Sequence, residues 1–249
     1  MAQIRGFRAA RFTAEAGPLS RLIAPPSGLV SPESRAHLAI EPNNSVHATI
    51  PPSDPDDRSK FVRYARASAQ LAGWRRAGLL RTDERPAYYR LTSSTFGADE
   101  ATLLALVPIA AIGEAEAALV REREDRLRML EATRTYLEPV PLSIEGSAPH
   151  GLLARASATE TWTATTESGE TFTLDAFPFP DPGDSSAEEL GAFRPFAGGS
   201  AAVEAARAFR AAKGEKPGPI AEDYLLAAIG PRADSTPAGL VFWSLGEFA

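Results

Sequence analysis

The chain contains no cysteine, which excludes disulfides, thiolate metal sites and a cysteine nucleophile together. Lysine is almost as scarce. Of the 26 basic residues only Lys60, Lys213 and Lys216 are lysines, leaving 23 arginines. A Schiff-base or phosphate-gripping lysine would therefore be one of three residues in polar, solvent-like contexts. The histidines are His37, His47 and His150. None has a partner at the spacing of a zinc or iron site, which draws on three or four converging ligands. Neither a metal nor any other cofactor is expected. A single histidine is most simply satisfied by a backbone carbonyl. His47 nevertheless stays a candidate, because Val46-His47-Ala48-Thr49 reads as a strand beside the Asn43-Asn44 turn.

Two catalytic signatures are also missing: no serine sits in a Gly-x-Ser-x-Gly elbow, and no Gly-x4-Gly-Lys-Ser/Thr phosphate loop exists. Long apolar runs are absent too. Thr102–Ile112 is the longest, is interrupted by Pro108, and covers about half of a membrane span. Met1–Phe12 carries Arg5, Arg8 and Arg11 without the apolar core of a signal peptide. The net charge of −6 argues against binding nucleic acid through its phosphates. A soluble, cytoplasmic protein with neither nucleic acid nor membrane as partner is the expectation.

What is present suits a packed interior. The chain has 249 residues, 44% apolar and 23% charged, enough for one large domain or two small ones. The arginine surplus suits internal ion pairs, since guanidinium stays charged when buried and pairs in two-pronged fashion with carboxylates. Codon usage in a GC-rich genome would produce the same bias.

Gln3–Phe12 reads as a first strand, and Pro25-Pro26-Ser27-Gly28 as a stiff turn. Ser31-Pro32-Glu33 has helix-start chemistry for a short helix to Ala39, followed by a strand at Ser45–Ile50. A longer helix spans about Asp57–Ala77, with Phe61, Ala65, Ser68, Leu71, Ala72 and Trp74 inward, and ends at Gly78. Ala87–Thr92 and Leu103–Ile109 read as strands, the second continuous enough to be buried on both faces. A charge-dense helix follows from about Glu114 to Leu137, burying Leu119, Leu127, Leu130 and Tyr136. Val140–Ile144, Leu152–Ala156, Thr159–Thr166 and Glu170–Asp175 are strand-like, and Phe177–Ser186 is a proline-rich crossover. Helices at Ala201–Lys213 and Pro219–Ile229 and a strand at Leu240–Leu245 complete an α+β pattern. A division into an N-terminal domain, 1–140, and a C-terminal one, 141–249, is expected.

Among the candidate sites, Arg121–Arg128 mixes both charge signs along a helix and reads first as a solvated, salt-bridged face, with Arg126 the functional candidate. Ala197-Gly198-Gly199-Ser200 ahead of Ala201–Glu204 has a stronger physical case. Two glycines let backbone approach a ligand, and a helix beginning at Ser200 directs free N–H groups and a positive dipole end at an anion. The same residues also make an ordinary turn before a capped helix.

The order of segments resembles the family catalogued as domain of unknown function 1015. The resemblance rests on Ile4-Arg5-Gly6-Phe7-Arg8, Ala24-Pro25-Pro26, Val46-His47, Trp74 with Gly78-Leu79-Leu80, and Pro86-Ala87-Tyr88-Tyr89. Further along it rests on Glu124–Leu130 with Ala132-Thr133-Arg134, Phe196–Ala206, and Gly239-Leu240-Val241. Each motif is weak alone, but their order over nearly the whole chain is specific. The family's Asp-Gly-His-His-Arg signature is similar to one in free serine kinases of the ParB/sulfiredoxin type, where it lies at a nucleotide-phosphate site. The resemblance thus implies a ParB/sulfiredoxin-like C-terminal part and phosphate-handling ancestry.

Here the signature positions read Gly198-Gly199-Ser200-Ala201-Ala202, so the charged groups that phosphoryl transfer needs are gone. The family's Pro-Pro-Tyr-Asp turn reads Pro25-Pro26-Ser27-Gly28, Ile50 and Pro52 replace an Arg and a Glu, and only Glu122 remains of a His-Glu-x-Thr stretch. The chain also ends at Ala249, before the family's C-terminal region. A truncated, degenerate, non-phosphorylating member is expected, with no catalytic residue assigned, acting by binding a small anionic metabolite or a protein partner. Candidate ligand-binding residues are Gly198, Gly199, Ser200, Ser27, His47, Glu122 and Arg126. A homodimer through the C-terminal strand is expected if Leu240, Phe242, Trp243 and Phe248 leave an apolar surface exposed. The alternative is a small-molecule transferase, most simply an amino-acid (serine) kinase, in which Glu122, Arg126, His47 and Ser27 take rearranged roles.

Overall fold

The structure is a computed structural model that describes residues 4–95, 100–114, 118–144, 157–166, 169–178, 192–212 and 220–247. The first part contains β1 (Ala10–Phe12), α1 (Leu19–Leu22), α2 (Pro32–Leu38), α3 (Val46–Thr49) and α4 (Val62–Arg76). Then follow β2 (Leu80–Thr82), β3 (Ala87–Ser93), β4 (Thr102–Pro108), α5 (Val120–Thr133), β5 (Thr135–Tyr136) and β6 (Val140–Ile144). The last part holds β7 (Glu160–Thr165), β8 (Thr171–Pro178), β9 (Phe193–Pro195), α6 (Ser200–Ala211), β10 (Tyr224–Ile229) and β11 (Trp243–Ser244). The class is α+β.

A seven-stranded mixed sheet runs in the order β7-β8-β3-β4-β10-β6-β9, with β1-β2 and β11-β5 as separate two-stranded pairs. Strands from both sides of residue 140 interleave in the large sheet. Strand β4 is the continuous apolar run read from the sequence, buried from Thr102 to Val107, as a strand covered on both faces must be. Beside it lies β10, antiparallel to β4 over six residue pairs and parallel to β6 over three.

Three elements differ from the sequence reading. Pro219–Ile229 is not a helix: Ile220–Asp223 makes a 3-10 turn and Tyr224–Ile229 is a strand, with Leu225 to Ile229 fully buried. Alanine and leucine favour a helix locally, but two open strand edges offer this segment a ladder on both sides, and packing overrides propensity. Ser45–Ile50 is not a strand either. Asn44 Oδ1 accepts from the Val46 amide, 2.9 Å away, and this side-chain turn starts the helix α3 in spite of its β-branched residues. The charged helix is shorter than expected: α5 begins after Leu119, which is 68% exposed rather than buried, and stops where Arg134 turns left-handed at φ 52°.

Two boundary signals match, and other elements differ in extent. Ser31 caps α2 by accepting from the Ser34 amide, and Gly78 ends the α4 segment at φ 72°. The first strand is regular only at Ala10–Phe12, with single bridges at Arg5 and Phe7 ahead of it. The inward face of α4 is Tyr64, Ala67, Leu71 and Trp74, so Phe61 and Ala65 lie outside it. The expected strand at Leu152–Ala156, together with His150, Lys213 and Lys216, lies outside the described residues.

The C-terminal apolar residues are interior. Phe242 and Trp243 have no exposed surface and Leu240 is nearly as buried, so the exposed edge expected there is a core element instead. The cause is local pairing: Phe242 bridges Ala10, Trp243 pairs with Tyr136 in β5, and its indole stacks on the Tyr136 ring at 5.6 Å. Phe12 meets both Trp74 and Phe242 edge-on. Phe248 lies outside the described residues. No helix among the described residues is long and apolar enough to cross a membrane.

Arg134 ties these layers together. Its amide donates to Leu130, its carbonyl accepts from Leu245, and its guanidinium lies over the Phe209 ring and donates to Glu222 at 2.7 Å. The Glu222 side chain is wholly buried, and a buried carboxylate is tolerable only while paired. Arg134→Ala is expected to lower unfolding stability by about 3–5 kcal/mol, because it strands that charge. Arg134→Gly, which relieves the left-handed backbone, should lose about 1 kcal/mol less. Urea denaturation of the two variants checks both the magnitude and the order.

Candidate functional site

The site is built from four segments. On α5, Arg126, Met129 and Leu130 fall three and four positions apart and share a face, with Asp125 at its margin. The residues after the left-handed turn, Thr135 to Glu138 and Val140, form an opposite wall. Ala202 and Ala205 on α6 and Thr49 on α3 complete a cavity of about 60 Å³. At ~10–15 Å³ per water position, that space suits a few waters or one small head group.

Polar groups cluster where Arg126 and Glu138 line this cavity. Glu138 Oε2 accepts from Arg126 Nη1 at 2.9 Å and from Ser27 Oγ at 2.7 Å, while Glu138 Oε1 accepts from the Ser27 amide at 2.8 Å. Arg126 Nη2 in turn donates to Ser27 Oγ at 2.7 Å. The three side chains close a ring in which every bond involves an ionised group, the stronger class of hydrogen bond. Ser27 reaches it because the stiff Pro25-Pro26 pair follows the Ala24–Ala238 bridge and leads into a 3-10 turn at Ser27–Leu29. Arg126 spends two of the five N–H donors of a guanidinium on this ring. Its side chain is 38% exposed, against 14% for Glu138.

The neighbouring charge is neutralised from outside. Asp125 accepts from the Tyr64 hydroxyl at 2.6 Å and pairs with Arg63. Thr49 Oγ1 donates back to the Ser45 carbonyl at 3.1 Å, and Thr135 Oγ1 bonds Thr133 and Ser244. Tyr136 is buried with its hydroxyl donating to the Tyr224 carbonyl, and burial pushes its phenol far above the ordinary tyrosine range, so it is a neutral group beside the cavity.

Of the residues singled out in the sequence, Ser27 and Arg126 meet directly. His47 rides on α3, near Thr49, but its Nε2 donates to the Glu41 carbonyl at 3.1 Å and it does not line the cavity. Glu122 is exposed in the first turn of α5. The Gly198–Ser200 turn leads into α6, which sends Ala202 and Ala205 to the cavity, yet the turn itself packs elsewhere. A Cβ on Gly199 would lie 2.7 Å from the Pro141 carbonyl oxygen, whereas one on Gly198 would meet nothing within 4 Å. Ser200 heads α6, and its Oγ is buried with no hydrogen-bond partner among the described residues. Glu138 was missed. Its one sequence signal is indirect: a chain with 23 arginines needs carboxylates outside the charged helix to pair with them. Among the described residues no group of three or more His, Asp or Glu is placed to hold a metal.

The two glycines should respond differently to a methyl group. Gly199→Ala is expected to cost about 1–3 kcal/mol, because a backbone oxygen cannot yield as a side chain does. Gly198→Ala should be neutral or slightly stabilising through the unfolded chain. Thermal unfolding of both variants measures the contrast.

No curated protein and no solved structure matches the chain. A family model described as protein of unknown function (DUF1015) matches residues 4–175. That stretch holds Ser27, Arg126 and Glu138 and ends before Gly198, so the ring lies inside the matched part and the glycine turn beyond it. With well over half its length matched by that model, this chain belongs to the DUF1015 family.

Proposed function

We propose that the chain works by binding rather than by phosphoryl transfer, and that its ligand is a small anion of carboxylate or phosphate type held at Arg126. One observation carries the reading: Arg126 and Glu138 line one small cavity and are tied together from behind by Ser27, 99 positions away from Arg126. Arg126 keeps three N–H donors beyond those given to Glu138 and Ser27. A planar fork of such donors suits a carboxylate or phosphate edge. The Leu130, Leu137 and Val140 side chains restrict the space to a small head group.

Phosphoryl transfer is disfavoured on charge. Transfer of a phosphoryl group rests on positioning and on cations gathered around its oxygens. The Gly199 turn faces the Pro141 carbonyl oxygen, an acceptor that repels phosphate, and methyl groups follow it at Ala201 and Ala202. Among the residues that line the cavity Arg126 is the one cation, enough to hold an anion but short of the several that transfer draws on.

The test is a thermal scan with millimolar acetate or inorganic phosphate. A ligand present at ten times its dissociation constant adds about 1.4 kcal/mol, a rise of about 3–6 °C at this chain size. Arg126→Met should remove that rise. Incubation with ATP or ADP and a panel of amino acids should give no nucleotide turnover, and turnover lost in Arg126→Ala would establish the transferase alternative instead.

A further inference from the structure

Residues 25–40 leave the body of the protein at the Ala24–Ala238 bridge and return at the Glu41–Asn44 turn. Little apolar burial holds them. No residue of α2 is buried, and Leu29 and Ile40 are 71% and 76% exposed. Leu38 and Ala39 rest, half-buried, on a small cluster of Ala24, Val46 and Ala238 at the return end. Two further attachments are polar and lie beside the cavity. Ser27 bonds Glu138 and Arg126, both of which line it, and Arg35 Nε donates at 2.8 Å to the carbonyl of Ile50, the residue after Thr49.

We propose that residues 25–40 form a strap that gates the Arg126 cavity, latched by the ring of Ser27, Glu138 and Arg126; the inference rests on reading that cavity as a binding site. Segments with few buried apolar contacts open at a small fraction of the global unfolding free energy. This strap also opens without stranding a charge, because Arg126 and Glu138 stay paired at 2.9 Å when Ser27 withdraws. In the closed strap Ser27 fixes the Arg126 guanidinium, so an anion on the remaining donors meets a pre-oriented group, binds the closed state more tightly and favours closure to that extent. Ser27 is therefore a positioning residue for the latch, and Arg35 supports it from the other side of the strap.

Amide hydrogen exchange of the whole chain tests this without any ligand. In Ser27→Ala the amides of residues 25–40 should exchange at least about tenfold faster than in the unaltered protein, since bonds to charged groups are lost. Arg35→Ala should act in the same direction, while β4 and α4 keep their rates. Unchanged exchange of 25–40 in both variants, or an equal acceleration in β4, would overturn the latch. Adding sodium phosphate then separates the two claims. Slower exchange of 25–40 that is absent in Arg126→Met supports the gate. Phosphate that raises thermal stability yet leaves 25–40 unprotected overturns the gate and spares the binding reading. No phosphate effect in either assay, with Ser27→Ala still accelerated, removes the anion and upholds the latch.

Discussion

The large sheet depends on one strand, β10, whose two edges are both used. On one side it makes a six-residue antiparallel ladder with β4, and on the other a parallel register with β6. Its residues from Leu225 to Ile229 have no exposed surface, so the segment contributes hydrophobic burial and saturated backbone hydrogen bonding at once. Remove it and β4 and β6 become neighbouring unpaired edges in the middle of the core. The cavity wall at Thr135–Glu138 leads directly into β6, and β4 lies ahead of α5, so β10 joins the parts of the chain that carry two sides of the cavity.

What the sequence makes legible follows from how local each signal is. Ser31 with Pro32, the glycine at position 78 and the unbroken apolar stretch of β4 act through their own backbone or their immediate neighbours, and each is where the pattern places it. Tyr224–Ile229 is composed like a helix and becomes a strand, because what decides it lies more than a hundred residues away in β4. Leu240 to Trp243 look like an edge from sequence alone, since their partners, Ala10 and Tyr136, are equally remote.

The same distinction runs through the site. Ser27 and Arg126 are visible as polar residues, one in a stiff proline turn and one in a charged run, but the bond between them is long-range and is completed by Glu138. Glu138 itself sits in an unremarkable stretch ahead of Pro139. His47 has the opposite history. Its chemistry draws attention in the sequence, and the fold answers it with the carbonyl of Glu41. The arginine surplus turns out to be informative in aggregate, with Arg11 on Asp83, Arg66 on Asp57, Arg90 on Asp175 and Arg134 on Glu222 all pairing within the fold.

A parallel pair such as β10 and β6 also imposes an order of events. Parallel neighbours need a long crossover, and here 79 residues lie between the end of β6 and the start of β10. During synthesis, β4 and β6 leave the ribosome well before their common partner does, each with an open hydrogen-bonding edge and apolar side chains. The nascent chain must therefore wait, half-zipped, for a late segment to slot into its centre. The length of that crossover sets how long the two edges stay open.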